Sequence, residues 1–312
     1  MKEQDYIYEV FLERSFSKAA RKLYVSQPAL SMAVKKVEED LGITVFDRSA
    51  NPLSLTDQGK IYVAYLEKIR SAKRAMDEQL SDMADLKVGN ITVSGENFVS
   101  SFILPEVLVR FSEKYPGIQV NIVESNSPDL RQQLLSENTD FLVAHDFDME
   151  LYEAKELFEE QVLLSVPDSF PISDGIMKYA LSGEDIIKDL HKKAKAVDLN
   201  AFSDFPFLLM KPGNDLCKRA ALIFEDTKFE PKVRIRLDQM ITAYNLSCAG
   251  MGITLVSDKL VEKAGISGCR YFVLDSPHIY RQMCIGYKKN RYVNHAAAAF
   301  IETALEVYHK EK

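Results

Sequence analysis

One short segment of this chain concentrates residue types that bind nucleic acid. From residue 14 to residue 37 there are six basic side chains and no Asp or Glu, although the chain has a net charge of −7. Gln27 and Ser31 lie four residues apart within it, which places both on one face of a helix. Their side chains can bond to base edges while basic side chains hold phosphates. The charge pattern alone leaves open a helical hairpin whose basic face only meets solvent.

Three short helices are expected to position this surface. Tyr6, Val10 and Phe11 give the first helix an apolar stripe. Ser17 can cap a second helix that runs to about Leu23. Small alanines in this second helix allow a close approach to its neighbour.

The third helix has a start and an end signal. Ser26 is a good N-cap, and Pro28 lies in the first turn, where its missing N–H costs nothing. Gly42 is expected to end the helix. Its buried face is predicted from apolar residues at helical spacing: Leu30, Val34, Val37 and Leu41.

Two helices joined by a tight turn, the second with a polar outer face, form the helix-turn-helix pattern. The second helix of that motif enters the major groove of DNA. Residues 43–46 and 53–56 read as two short strands, which makes a small β-wing, with Arg48 beside it for a phosphate. The candidate DNA-binding residues are Ser26, Gln27, Pro28, Ser31, Met32, Lys35, Lys36 and Arg48.

Residues 15–59 closely resemble the N-terminal domain of LysR-type transcriptional regulators. "SFSKAARKLYVSQPALSMAVKKVEEDLG", then "FDR" and "LSLTDQG", match the family pattern in order and spacing. The family usually has a basic residue where this chain has Met32, so base preference or a phosphate contact is expected to differ. The first 60 residues hold nine basic and nine acidic residues. One copy is therefore expected to bind DNA weakly, and paired copies to supply the affinity.

A long helix is expected after the wing, capped by Thr56 and free of Pro to about Asp85. Near-heptad spacing indicates a dimer seam. Its residues are Tyr65, Ile69, Ala72, Met76, Leu80 and Met83. A helix that lies on its own domain is the alternative. The resemblance implies a dimer and suggests a homotetramer, and a dimer predicts an inverted-repeat operator in double-stranded DNA.

Strand and helix patterns alternate through the rest of the chain and predict βαβ units in a parallel sheet. "LPEVLVRFSEKYPGIQV" and "LSCAGMGITLVS" resemble the two-lobed, periplasmic-binding-protein-like effector domain of the same family. The family fold implies that the chain enters the second lobe near Val166 and returns near Gly268. Residues 170–195 exceed the usual family length. They carry a capping-box pattern from Ser182 to Asp185, and their role stays open.

The expected fold class is α/β, with a winged helix-turn-helix, a long linker helix and a two-lobed effector domain. The predicted domains are residues 1–58 for DNA binding, 59–88 for the linker and dimerisation helix, and 89–312 for effector binding. Within the last, lobe I covers about 89–165 and 268–312, and lobe II about 166–267.

Ligands of open α/β sheets bind beyond the carboxyl ends of the strands. The candidate effector-binding residues there are Asn97, Ser100, Ser101, Ser127, His145, Met210 and Lys211. Two of the chain segments that carry these residues lead into helix N-termini. Because helix N-termini favour anions, a small carboxylate or similar anion is expected as the ligand. Each serine can instead be a simple helix cap, and Lys211 can be merely solvated.

Motifs of other protein classes are missing from the sequence. It has no P-loop, no Rossmann glycine pattern, no Gly-x-Ser-x-Gly and no paired-carboxylate signature. Its four cysteines and five histidines show no metal-ligand spacing. Its first residues include acids where a secretion signal would need a basic and then an apolar block, and no apolar run is long enough to span a membrane. We therefore expect a cytoplasmic protein that is not an enzyme, with no cofactor, no metal and no membrane partner.

The leading hypothesis is a DNA-binding transcriptional regulator controlled by a small-molecule effector bound between the two lobes. A thiol-based redox sensor on the same scaffold is one alternative, because some relatives use a cysteine pair and Cys217 falls near the relevant helix. The expected partner shortly after it is absent, and Cys248 is far along the chain. The other alternative is a ligand-binding protein that does not act on DNA.

Overall fold

The computed structural model describes residues 3–50, 52–82, 89–125, 127–135 and 139–309. The chain divides into two compact units, Met1–Leu80 and Ser81–Lys312. No helix within the described ranges is both long enough and apolar enough to cross a membrane.

The first unit is a helical head with a small hairpin. Its elements are α1 (Glu3–Glu13), α2 (Phe16–Lys22), α3 (Gln27–Leu41), β1 (Phe46–Asp47), β2 (Ser54–Leu55) and α4 (Asp57–Asp82). The two strands pair antiparallel and form the expected wing. Its core joins α1, α2 and α3 through residues such as Ile7, Ala19, Leu30 and Val34.

The ends of α2 and α3 follow from local hydrogen bonding. The Ser26 side chain accepts a bond from the Ala29 N–H at 3.3 Å, and Gly42 ends α3 in a left-handed conformation at φ 63°. The cap of α2 is Ser15 rather than Ser17, since the Ser15 side chain accepts from Lys18. Leu41 was expected to be buried but is 48% exposed, because α3 ends there, at the edge of the core.

The start of α4 is locked to the chain segment before the wing. The Thr56 hydroxyl accepts a bond from the Gly59 N–H at 2.9 Å, as expected of a cap. Gly59 lies against the Val45 backbone, where an added Cβ would be only 2.8 Å from the Val45 carbonyl carbon. Only glycine fits this contact.

The second unit begins with one α/β lobe. Its elements are β3 (Gly89–Gly95), a π-helical segment (Val99–Ile103), α5 (Leu104–Lys114), β4 (Ile118–Glu124), α6 (Ser127–Leu135), β5 (Phe141–Ala144) and the start of β6 (Tyr152–Pro167). β11 (Tyr280–Lys288) and α12 (His295–His309) complete it. Strands β3, β4 and β5 are parallel, as predicted, whereas β11 pairs antiparallel with both β5 and β6.

The other lobe, lobe II, is built on the far end of β6. Its elements are α7 (Asp174–Met177), α8 (Gly183–Ile187), β7 (Pro206–Met210), α9 (Asp215–Asp226), β8 (Lys232–Leu237), α10 (Met240–Cys248), β9 (Thr254–Ser257), α11 (Asp258–Ala264) and β10 (Cys269–Phe272). Short 3-10 turns cover Leu190–Lys193, Leu199–Phe202 and Pro277–Ile279. β9 and β10 pair antiparallel with β6, and β7 pairs parallel with β8.

β6 therefore serves both lobes. It pairs with β11 up to Gln161 and with β9 from Val162. The change of partner comes earlier than the crossing expected near Val166. The chain rejoins lobe I pairing only at Tyr280, after β10, rather than near Gly268. The domain limits drawn from the sequence stay predictions.

The long segment at residues 170–195 folds onto lobe II. The capping box is present, with bonds in both directions between Ser182 and Asp185. Ile186 is buried in the main core, and the His191 ring contacts the Asp258 carboxylate at 3.1 Å. The segment is thus part of the lobe and has buried contacts of its own.

Candidate functional site

The outer face of α3 is exposed and carries the side chains predicted to read bases. Gln27, Pro28 and Lys35 are exposed, and Met32 is 72% exposed. The Gln27 amide donates a bond to the Ser31 hydroxyl at 3.0 Å, so the two side chains form one polar group on this face. Ser26, by contrast, already uses its hydroxyl as the cap of α3.

The basic candidates are less free than the sequence implied. Lys35 pairs with Glu39 at 3.4 Å, one turn along the same helix. Lys36 pairs with Glu3 of α1 at 2.8 Å, which ties it to the neighbouring helix. The Arg48 guanidinium bonds to Glu38 at 3.2 Å and also lies over the Phe16 ring. A phosphate would have to compete with these carboxylates.

One exposed aromatic residue was missed by the sequence reasoning. Tyr24 is 96% exposed in the turn between α2 and α3, with a left-handed φ of 56°. A phenol hydroxyl there can donate to a phosphate oxygen beside the groove that α3 would enter. The signal was an aromatic residue in a turn, where burial is not expected.

An exposed apolar stripe runs along α4, as the seam prediction requires. Tyr65, Ile69 and Met76 are 61%, 40% and 52% exposed in the single chain, and Ala72 is exposed too. Ile61 extends the stripe by one turn at 74% exposure. The side chain of Leu80 and the whole of Met83 lie outside the described residues.

In the second unit, a cavity of about 390 Å³ opens between the two lobes. It lies at the carboxyl ends of β3, β4 and β5 and faces the first turns of α9 and α10. Its charged and amide side chains from lobe I are Glu96, Asn97, Glu124, Arg131, His145 and Arg281. Those from lobe II are Lys211, Asn214, Asp215, Asp238 and Gln239.

The structure brings together three of the predicted effector residues, Asn97, His145 and Lys211, which line this cavity. The other candidates are placed differently. Met210 is buried in lobe II at 3% exposure, and Ser101 is exposed. Ser100 lies inside the π-helical segment, whose first residues have no side-chain cap, and its hydroxyl is buried. The side chain of Ser127 lies outside the described residues.

A buried ionic network under the cavity was also missed. The Arg281 guanidinium contacts Glu160 and bonds to Asp215 at 3.1 Å. His145 reaches the Glu160 carboxylate at 2.9 Å. Burial by itself would raise the pKa of Glu160, but attraction to Arg281 and His145 outweighs it and holds that pKa at about 2. The network joins lobe I to the first residue of α9 in lobe II.

The remaining cations beside the cavity are also engaged. One Arg131 nitrogen donates to the backbone carbonyls of His145 and Asp146, at 2.8 and 3.2 Å. Lys211 pairs with Asp238 at 2.7 Å. Arg219 pairs with Asp146 at 2.9 Å, a second ionic contact from lobe II to lobe I.

The fold and sites define a class of protein in which a winged helix-turn-helix unit is followed by a two-lobed α/β unit with a ligand-sized cleft. Residues 2–60 match the model for bacterial regulatory helix-turn-helix proteins of the lysR family. Residues 84–308 match the model for the LysR substrate binding domain. The chain belongs to the LysR family of transcriptional regulators and carries its substrate-binding effector domain. This confirms the resemblance and the fold class expected from the sequence.

Individual relatives agree with this assignment. Over 315 residues the chain is 26% identical to the uncharacterized HTH-type transcriptional regulator YcgK of Bacillus subtilis (strain 168), covering 98% of this chain and 94% of that one. The structure of full-length CbnR complexed with its target DNA is similar at TM-score 0.62 and 18% identity, covering 98% and 99% of the two chains. The effector binding domain of QuiR in complex with shikimate has TM-score 0.58 and 16% identity, covering 72% and 98%. The structural likenesses show the fold.

Proposed function

We propose that this regulator binds an inverted-repeat operator in double-stranded DNA as a dimer or larger homo-oligomer. A small molecule held between the lobes of its effector domain would control that binding. The observation that carries the proposal is the outer face of α3, where exposed base-reading side chains stand on a helix that Ser26 caps. The crystal structure of CbnR with its target DNA supports the same use of the fold. Such a regulator works in the cytoplasm, beside the DNA.

The roles on DNA follow from the chemistry of each side chain. The Gln27 amide can pair with the N6 and N7 atoms of adenine once it leaves Ser31, and Met32 can contact a thymine methyl group. Lys35 and Tyr24 lie where phosphates would pass. Because the first 60 residues carry equal numbers of basic and acidic residues, two heads on two half-sites would provide the affinity.

The exposed stripe on α4 supports self-association. An apolar row that stays 40% to 74% exposed in the single chain is stabilised when a second copy covers it. We assign Tyr65, Ile69, Ala72 and Met76 to that contact, together with the predicted Leu80 and Met83.

The cleft supports effector control. It lies where open α/β sheets bind ligands, and ionic contacts from both lobes meet beside it. An effector that changes operator occupancy tenfold must favour one state of the protein by about 1.4 kcal/mol.

A DNase footprint on the DNA upstream of its own gene, in low and moderate salt, tests the proposal. We expect a protected inverted repeat with half-sites about 10 bp apart or a multiple of that. Protection should disappear in the double variant Gln27→Ala, Ser31→Ala. The variant Gln132→Ala, at an exposed position of α6, is the control and should protect as well as the native chain. Absence of protection at every salt concentration, on this DNA and on random-sequence DNA, would contradict the proposal.

A further inference from the structure

We propose that the effector carries a protonated amine, which the cleft binds through the Glu96 carboxylate. The inference rests on the proposed function, because it takes the cleft between the lobes as the effector site. It departs from the anion expected from the sequence, and the reason is the charge that the structure places in the cleft.

The cavity is lined by more carboxylates than permanent cations. The carboxylates are Glu96, Glu124, Asp215 and Asp238, and the cations are Arg131, Lys211 and Arg281. Glu160 adds a further negative charge just beneath, in contact with Arg281. An anionic ligand would enter a region of net negative charge, whereas a cationic ligand would be attracted to it.

The cations that would hold an anion are already engaged. Arg281 is shared between Glu160 and Asp215, and Lys211 holds Asp238. One guanidinium nitrogen of Arg131 donates hydrogen bonds to two backbone carbonyls. A carboxylate ligand that drew Arg281 away from Glu160 or Asp215 would leave a protein carboxylate unpaired, which is costly at a buried site.

Two of the helix N-termini in this unit, those of α9 and α6, carry protein carboxylates of their own. Asp215 is the first residue of α9, and the Asn214 side chain accepts the Leu216 N–H at 2.9 Å. Asp129 lies in the first turn of α6. The partial positive charge of both helix starts is thus compensated within the chain.

Glu96 is the carboxylate best placed for an amine. It follows β3 directly, lines the cavity and is half-buried. Burial raises the pKa of Glu96, and so does the negative charge of Asp215, while His145, Arg281 and Arg131 lower it. A ligand ammonium between Glu96 and Asp215 would relieve that crowding of negative charge.

Calorimetric titration of the full chain with matched probes tests the inference. The probes are 1,4-diaminobutane and succinate, which have equal chain lengths and opposite charges, at matched ionic strength. We expect the diamine to bind with a dissociation constant at or below about 10 mM and to raise the melting temperature, and succinate to do neither.

Substitutions of the lining carboxylates test where the amine binds. Glu96→Gln should weaken diamine binding about tenfold or more, since a hydrogen bond between charged groups is lost. Glu124→Gln, at an exposed lining position, should weaken it less. Glu106→Gln is the control, because Glu106 pairs with Arg110 on α5 outside the cavity lining. Circular dichroism of each variant confirms that it is folded.

Three results would overturn the inference: succinate binding without diamine binding, no binding of either probe, or diamine binding that Glu96→Gln leaves unchanged. The footprint on the same preparation separates this from the proposed function. If the DNA is protected but the diamine does not bind, only the inference of an amine effector is wrong. Diamine binding without protection on any DNA supports the amine site and contradicts the role on DNA.

Discussion

Met32 is an uncharged side chain at a position where the resemblance to the family predicts a basic one. It is 72% exposed on α3, beside Gln27 and Lys35 on the same face. Met32→Arg should add one phosphate contact, so DNA binding should tighten and the slope of log affinity against log salt should steepen by about 1. Fluorescence anisotropy with a labelled operator over a range of KCl concentrations measures both.

The control for this substitution is Met32→Leu, which keeps the size and removes no charge. It should leave the salt slope unchanged. If the Arg variant shows the same slope as the Leu variant, residue 32 does not lie near a phosphate, and the assignment of this face of α3 to DNA is wrong.

At the scale of single residues, the sequence predicted side chains whose role depends on local position. Asn97, His145 and Lys211 were found because each lies at or just beyond the carboxyl end of a predicted strand. Arg281 and Glu160 were missed because 121 residues separate them in the chain, and no spacing rule links such pairs. Asp215 was not among the predicted residues, and only the structure shows that it faces Arg281.

Among the elements, the start of α4 depends on a glycine with no room for a side chain. Gly59→Ala would press a methyl group against the Val45 carbonyl, and we expect a loss of about 2 kcal/mol in the free energy of unfolding of the head. Urea unfolding followed by circular dichroism measures it. Gly183→Ala, where nothing lies within 4 Å of the added methyl, is the matched control and should change little. Equal effects of both changes would refute the packing argument.

The apolar stripe on α4 makes a separate prediction about assembly. Ile69→Glu would place a charge in the proposed seam and should raise the dimer dissociation constant at least about tenfold. Analytical ultracentrifugation over a concentration series measures this. Ala64→Glu adds the same charge at an exposed position outside the stripe and should leave assembly intact. If both variants associate like the native chain, the dimer contact lies elsewhere.

Helix ends and faces were predictable where a single residue decides them. The Ser26 cap and the Gly42 stop follow from side-chain chemistry and backbone freedom, so the sequence suffices. The cap of α2 was misplaced by two residues because two serines, Ser15 and Ser17, compete and only packing chooses between them. Strand direction was harder, since β6 and β11 read like the parallel strands but pair antiparallel.

For the whole molecule, the ionic network predicts how stability responds to acid. The pKa of Glu160 in the folded chain is about 2, below its ordinary value of 4.5. Its stabilising contribution is therefore present above pH 4.5 and is lost as the pH falls from 4.5 toward 2. Glu160→Gln should lower the free energy of unfolding by about 3 kcal/mol at neutral pH, and the difference from the native chain should shrink in acid.

Chemical denaturation at several pH values checks this prediction. Glu159→Gln is the control, because Glu159 is the exposed neighbour on the same strand. If the free energy of unfolding of Glu160→Gln stays below that of the native chain by the same amount down to the lowest pH, ion pairing does not account for the stability.

The shared strand β6 limits how the lobes can move. A slide by one residue would turn every side chain of β6 to the opposite face in both lobes at once, so slippage is excluded. The motion that remains is a twist of β6 near Gln161 and Val162, where the strand changes its pairing partners. An occupant of the cleft that changes the angle between the lobes would therefore twist β6 near these two residues.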